Sequence, residues 1–173
     1  MGTIMSNNNI QDGFVMISRQ EAIEKIFTKH GSDAIYVAPT GFIARAIYNL
    51  YPEQKNIFYM QGSMGLSPAI ALGIALNTKR EVVALNGDGG HLMHLGLTHT
   101  IRDEALKNLF VYVLDNGVHE SVGEQKCPHL EDQYTGITDI IKISCDGKTD
   151  RVAISFEDNA VNIFQILTEN TCY

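Results

Sequence analysis

Apolar positions in this chain fall into short blocks separated by longer stretches of helical spacing. Residues 34–37, 57–60, 81–85 and 109–114 are runs rich in β-branched and aromatic side chains, bounded by Gly, Pro, Asp or Asn, and read as strands. Further strands are expected at 140–144 and 152–155. Helices fill the intervals: one from a Ser18 cap to about His30, then 42–50, 67–76, 91–103 and 157–167. Ser18 and Glu21 have capping-box spacing, in which a hydroxyl and a carboxylate satisfy the unpaired amides of a helix start. Residues 62–65 and 87–90 are glycine-rich turns between a strand and a helix.

The strands are apolar throughout instead of alternating in polarity, as strands covered on both faces are. Strand and helix alternate along the chain. Together these features predict a doubly wound α/β fold with a mainly parallel sheet and helices on both faces. Ligands of such sheets lie outside the carboxyl ends of the strands. Here those ends carry 39–41, 62–65, 87–90 and 116–120, so candidate chemistry belongs on these loops.

Length and charge narrow the picture. The chain has 173 residues, 45% of them hydrophobic, which is enough for one domain with a real core and too little for two. Residues 1–12, polar and Asn-rich, are expected to be a disordered leader, and 13–173 the single domain. A net charge of −7 with no basic stripe argues against a nucleic-acid partner. No apolar stretch has the length of a membrane span, and no export signal is evident, so the expected compartment is the cytoplasm. Cys127, Cys145 and Cys172 are odd in number and widely spaced, which fits reduced thiols better than a disulfide framework or a zinc ribbon.

The strongest chemical signal is Asn86-Gly87-Asp88-Gly89-Gly90 between a strand and a helix. Glycines let backbone approach a ligand closely, and amides at a helix start attract phosphate oxygens. Asp88 would repel those oxygens unless a divalent cation lay between, so the pairing predicts Mg2+. Taken alone, Gly-Asp-Gly is equally a tight turn. The next strand ends at Asp115-Asn116-Gly117, which offers a second oxygen ligand, with 26 residues between Gly89 and Asn116. His91, His94 and His99 lack a third ligand for zinc and read as core or surface residues. Lys126, Lys142, Lys148 and Arg151 are scattered cations with no assigned role.

Gly-Asp-Gly followed at this spacing by Asn, each at a strand end, resembles the cofactor-binding motif of thiamine-diphosphate-dependent decarboxylases and transketolases. The resemblance extends over about residues 18–170 and implies the diphosphate-binding domain of that fold. It implies that Asp88, Asn116 and the Val118 carbonyl hold Mg2+. Gly87, Gly89 and Gly90 with Thr40 and Gly41 would cradle the diphosphate. Gly62, Ser63 and Met64 would meet the rings, Met64 setting their bent shape and the Gly62 carbonyl taking the amino group. Seen alone, Met64 would pass for core.

Within the superfamily, the stretch from Asn116 to Gly123 is most similar to phosphonopyruvate decarboxylases and the sulfopyruvate decarboxylase beta subunit. Such an enzyme removes CO2 from a small anionic 2-oxo acid, a pyruvate bearing a 3-phosphono or 3-sulfo group, and releases the aldehyde. The family's activating Glu sits on a pyrimidine-binding domain, for which this chain has no room. The resemblance therefore implies an alpha-type partner subunit and a hetero-oligomer. His119 and Glu120 lie at the site's edge, where catalytic acid/base work and plain loop structure are both open. The rival readings are another thiamine-diphosphate-dependent 2-oxo acid decarboxylase or acyloin synthase subunit, and a non-catalytic cofactor-binding module.

Overall fold

The structure is a computed structural model that describes residues 10–11, 14–128, 130, 138–150 and 154–168. In chain order its strands are β1 (Ile10–Gln11), β2 (Phe14–Val15), β3 (Ile35–Ala38), β4 (Ile57–Tyr59), β5 (Val82–Gly87), β6 (Leu109–Asp115), β7 (Val118–His119), β8 (Gln125–Lys126) and β9 (Asp139–Lys142). Its helices are α1 (Arg19–His30), α2 (Phe42–Leu50), α3 (Ser67–Ala75), α4 (Asp88–Met93), α5 (Leu97–Glu104) and α6 (Phe156–Thr168).

Five strands form one parallel sheet in the order β4-β3-β5-β6-β9. The chain leaves β3 toward β4 and then returns to the other side of β3 to lay down β5. The order therefore reverses between β3 and β5, and a crevice opens at their carboxyl ends. The residues there are Pro39-Thr40-Gly41 and Gly87-Asp88-Gly89, which the sequence marked for chemistry.

Period-two geometry divides each strand between two cores. Tyr36, Ala38, Val83, Leu85, Tyr112 and Leu114 face α1 and α2, which contribute Ala22, Ile23, Ile26, Phe27, Ile43 and Ile47. Ile35, Val37, Val82, Ala84 and Val111 face the other way, toward Ala71, Ile74 and Ala75 of α3 and Ile166 of α6. Helices thus cover both faces, as the unbroken apolar strands required. Truncating Ile47 or Leu85, both fully buried, to alanine should cost about 2–5 kcal/mol.

Several boundaries moved. Ser18 caps α1 as expected, its Oγ accepting from the Glu21 amide at 3.0 Å. The Glu21 carboxylate, however, meets Lys25 at 2.9 Å and so completes no box. The turn expected at 87–90 is wound into α4 from Asp88 onward, and the single helix expected at 91–103 breaks at His94 before α5 begins at Leu97. Gly96, a poor helix former, lies in that break. The strand expected at 152–155 lies partly outside the described residues, and Ile154 and Ser155 are not in a strand. Ser155 instead caps α6, its Oγ accepting from the Asp158 amide at 2.9 Å. Of the expected leader, Ile10 and Gln11 pair antiparallel with Phe14 and Val15; residues 1–9 and 12 lie outside the described residues. Among the described residues no helix is long and apolar enough to cross a membrane.

Candidate cofactor site

At the switch point lies a cleft of about 560 Å3. Its walls include Thr40, Met64, Gly87, Asp88, Gly89, Gly90, Asn116, Val118, His119 and Glu120, so residues far apart in sequence share one space. Gly41 and Gly62 line a neighbouring cleft of about 800 Å3 that shares Thr40 with the first. Ser63 is exposed and lines neither.

Two glycine loops build the floor by direct contact. A Cβ on Gly65 would fall 2.1 Å from the Gly90 carbonyl oxygen, and Gly65 has φ +88°, which disfavours any side chain there. A Cβ on Gly90 would fall 2.7 Å from Asn86 Oδ1, and one on Gly89 only 2.1 Å from the His119 ring. The Asn86 side chain joins the loops, donating to the Gly65 carbonyl at 3.4 Å and accepting from the Gly87 amide at 3.1 Å. Glycines here serve close packing of loop on loop as well as approach to a ligand.

Asp88 is 4% exposed and faces the cleft with a buried carboxylate. Its Oδ1 accepts from the Gly89 amide at 2.9 Å and its Oδ2 from the Gly117 amide at 2.8 Å. Gly117, at φ +72°, turns its N–H so that it also reaches Asp115 Oδ1 at 3.0 Å. Burial pushes the Asp88 carboxyl above its ordinary pKa, and the neighbouring Asp115 adds to that push against the opposing amides. Asp115 is fully buried and ion-paired with Lys142. Burial pushes Asp115 up as well, but the bond and charge from Lys142, helped by the Leu130 and Gly117 amides, hold it below the usual carboxylate range. Asp115 is therefore tied to Lys142, whereas Asp88 has no cationic partner among the described residues and its charge is disfavoured. That is the environment in which a divalent cation binds favourably.

The remaining donors fit such an ion. Asn116 Oδ1 accepts from the Val118 amide at 3.2 Å, a local turn that folds Asn116 back over the residue whose carbonyl was expected to be a ligand. Among the described residues no group of three His, Cys, Asp or Glu side chains is placed to hold a metal ion by itself. One carboxylate, one amide oxygen and one carbonyl leave the other positions of a six-coordinate Mg2+ to ligand oxygens or water, the usual arrangement when Mg2+ is shared with a phosphate.

Around this centre stand residues the sequence did not single out. Arg19, the first residue of α1, is 4% exposed and donates Nη2 to Glu120 Oε2 at 2.6 Å. The same oxygen accepts from Asn116 Nδ2 at 2.8 Å, and Glu120 Oε1 accepts from the Gly147 amide at 2.8 Å. For Glu120 acid/base work and loop structure were both open; three donors engage it, and proton exchange would require breaking a buried ion pair. One signal for Arg19 was available: a cation in the first turn of a helix opposes the helix dipole and calls for a compensating partner. Lys142, one of the unassigned cations, has its partner in Asp115. Arg45 lines the neighbouring cleft, its guanidinium 5.0 Å from the Phe42 ring centroid and its Nη1 donating to the Thr149 carbonyl at 3.0 Å. Of the three histidines read as core or surface residues, His91 is buried, which lowers its pKa, and it lies with His94 on a separate small pocket.

A parallel sheet with a glycine-lined crevice at its switch point, an acid inside it and an amide oxygen beside it, defines a cofactor-binding α/β domain. The chain belongs to the family described as thiamine pyrophosphate enzyme, C-terminal TPP binding domain, which matches residues 39–163. It is 42% identical over 109 residues to the phosphonopyruvate decarboxylase of Streptomyces viridochromogenes, a match covering 63% of this chain and 27% of that protein. It is 40% identical over 111 residues to the sulfopyruvate decarboxylase subunit beta of Methanothermobacter thermautotrophicus, covering 64% of this chain and 59% of the relative. With the subunit beta of Methanococcus maripaludis it shares 32% identity over 142 residues, covering 82% and 72%. A solved structure described as a thiamin diphosphate-dependent enzyme from Mycobacterium smegmatis has the same fold, with a TM-score of 0.58 at 17% identity over 74% of this chain and 31% of that one. The chain thus spans about a quarter of the phosphonopyruvate decarboxylase and more than half of the sulfopyruvate decarboxylase beta subunits.

Proposed function

We propose that this chain is the beta-type, diphosphate-binding subunit of a thiamine-diphosphate- and Mg2+-dependent decarboxylase that acts on a 3-phosphono- or 3-sulfo-substituted pyruvate. The observation that carries this reading is the buried Asp88 carboxylate in the switch-point cleft, with its raised pKa and with Asn116 and Val118 beside it. Asp88, Asn116 Oδ1 and the Val118 carbonyl would hold Mg2+. Thr40, Gly41, Gly87, Gly89 and Gly90 would take the diphosphate, while Met64 would support the rings, with Gly62 and Ser63 at their outer edge. When bound, the cofactor supplies an electron sink for the electrons left as CO2 departs.

The chain's own residues then position the substrate and move protons. His119 lies against Gly89 on the cleft wall and is the group assigned to donate a proton to the product. Glu120 supports the same loop from behind. An anionic substrate fits the neighbouring cleft, where Arg45 has no carboxylate partner among the described residues. Names of the relatives support the substrate class, and the "subunit beta" in two of them supports a partner. That partner would be a pyrimidine-binding alpha-type subunit supplying the activating Glu, in a cytoplasmic setting that keeps thiols such as Cys127 and Cys145 reduced.

The test is CO2 release from phosphonopyruvate and sulfopyruvate by the chain mixed with its alpha-type partner, thiamine diphosphate and Mg2+. Turnover of one acid, and none by either subunit alone, is the expected result. Cofactor binding with CO2 released only from other 2-oxo acids would transfer the chain to another decarboxylase or an acyloin synthase. Cofactor binding with no turnover of any acid would make it a non-catalytic module.

A further inference from the structure

The Arg19–Glu120 pair lines the cleft without being one of the residues assigned above to the metal or the diphosphate, and its side chains are only 5% and 8% exposed. Burying two charges is unfavourable unless geometry and further hydrogen bonds compensate. Here they do. Arg19 gives Nη2 to Glu120, gives Nη1 to Thr149 Oγ1 at 3.1 Å and stands 5.5 Å from the Phe42 ring centroid. Its backbone amide donates to Asp146 Oδ2 at 2.5 Å, so the start of α1 is fixed to the segment that also supplies Gly147 to Glu120.

What the pair acts on is Asn116. A side-chain amide carries oxygen on one branch and NH2 on the other, and only the oxygen can bind a cation. A half-turn about the last side-chain bond would exchange them. An ionised carboxylate can only accept, so Glu120 Oε2, 2.8 Å from Asn116 Nδ2, retains the NH2 and leaves Oδ1 on the other side. The Val118 amide, donating to Oδ1 at 3.2 Å, agrees with that orientation. Glu120 left alone would bring a second negative charge to a site meant for diphosphate. Arg19 neutralises it and holds it in place.

We propose that Glu120 and Arg19 are positioning residues: Glu120 orients the Asn116 amide with its oxygen toward the Mg2+ site, and Arg19 locks Glu120 in that pose. The proposal rests on the reading of this cleft as a Mg2+-diphosphate site. Outer partners of metal ligands commonly change metal affinity by about ten- to hundredfold when removed.

Mn2+ can stand in for Mg2+, with the free ion read by electron paramagnetic resonance as it is titrated with thiamine diphosphate into the chain mixed with its alpha-type partner. Glu120→Ala and Arg19→Met should each weaken Mn2+ binding by about ten- to hundredfold, the double variant no more than Glu120→Ala alone. Arg19→Lys, which keeps charge but loses the planar fork, should fall between wild type and Arg19→Met.

The decisive comparison uses an Asn116→Asp background, where both side-chain branches are oxygen and nothing needs orienting. There Glu120→Ala combined with Arg19→Met, which removes the pair without changing the net charge, should leave Mn2+ binding nearly unchanged. Weakening of similar size in both backgrounds would reduce Glu120 to a structural role and overturn the proposal, as would no change in either. If Glu120→Ala does not fold, Glu120→Gln with Arg19→Met carries the same comparison of the two backgrounds. Wild-type chain that retains no Mn2+ with thiamine diphosphate would instead overturn the metal-diphosphate reading, and the proposal with it.

Discussion

The two ends of the parallel sheet both bury polar groups, but only one end completes them. At the amino end, His30 places Nδ1 2.6 Å from Glu81 and Nε2 2.8 Å from the Tyr112 hydroxyl, which also accepts from Lys29 at 2.8 Å. Acid, imidazole, phenol and amine satisfy one another, and Lys29 is held above its ordinary pKa chiefly by the bond to Tyr112. At the carboxyl end, Asp115 has Lys142 and Glu120 has Arg19, but Asp88 has amides and a neighbouring acid. A network complete within the chain stabilises a fold. One that leaves a buried acid without a counter-ion among the described residues suits a bound cation.

The largest effect that follows is on Asp88. Asp88→Ala should remove Mg2+-dependent thiamine diphosphate binding below detection by calorimetry while leaving the circular dichroism spectrum unchanged. Persistent Mg2+-dependent binding would put the metal elsewhere. At the amino end, by contrast, Tyr112→Phe should leave cofactor affinity within twofold or so and cost only about 1 kcal/mol of stability, the ordinary worth of a lost hydrogen bond.

Glycines sharpen the same contrast. Gly65→Ala forces a methyl toward the Gly90 carbonyl at a positive φ, and should destabilise by at least 1–3 kcal/mol, roughly the cost of overpacking. Gly73→Ala, in the interior of α3 with nothing within 4 Å of the added methyl, should stabilise by about 0.5–1 kcal/mol. Urea melts of the two variants check both signs, and equal effects would mean that the loop-on-loop contact does not exist.

Much of this was readable in the sequence, for a definite reason. The strands were legible because each is a short apolar run with turn residues at its ends, and burial on both faces leaves no polar position to confuse the pattern. The candidate loops followed from the carboxyl ends of those strands and from glycine placement, whereas the strand order came only with the structure. The partners of Arg19 and Asn86 were not legible: Arg19 looks like a residue of any amphipathic helix, and Asn86, though it opens the Gly-Asp-Gly signal, like a strand terminus. Their roles depend on partners about a hundred and about twenty positions away, and no local pattern encodes those meetings. The winding of 88–90 into α4 was missed because glycines usually mark a loop, whereas here packing against Gly65 and His119 holds them helical.

A smaller effect reports the charge of Asp88 without any ligand. Because its folded pKa is raised, its ionised form destabilises the cofactor-free chain; the penalty is full above the folded pKa and absent below the ordinary carboxylate range. Asp88→Asn should therefore raise the melting midpoint at neutral pH, by roughly 2–4 °C per kcal/mol, and the gain should vanish as pH falls through that range. Asp115→Asn should do the opposite at neutral pH: Asp115 has a lowered pKa, and its contribution is lost only as pH falls through the folded value. The smallest effect concerns Cys127, whose thiol is pushed up to about 11 by burial and by the charges of Asp88 and Asp115. In the native chain iodoacetamide should label exposed Cys145 well before Cys127, as mass spectrometry of peptides would show.

The most direct measurement is calorimetric titration of thiamine diphosphate, with and without Mg2+, into the chain mixed with its alpha-type partner. One site per chain that is filled only when Mg2+ is present, and is lost in Asp88→Ala, is the predicted result. Equal binding without Mg2+, or no binding in either condition, would contradict the assignment of the switch-point cleft.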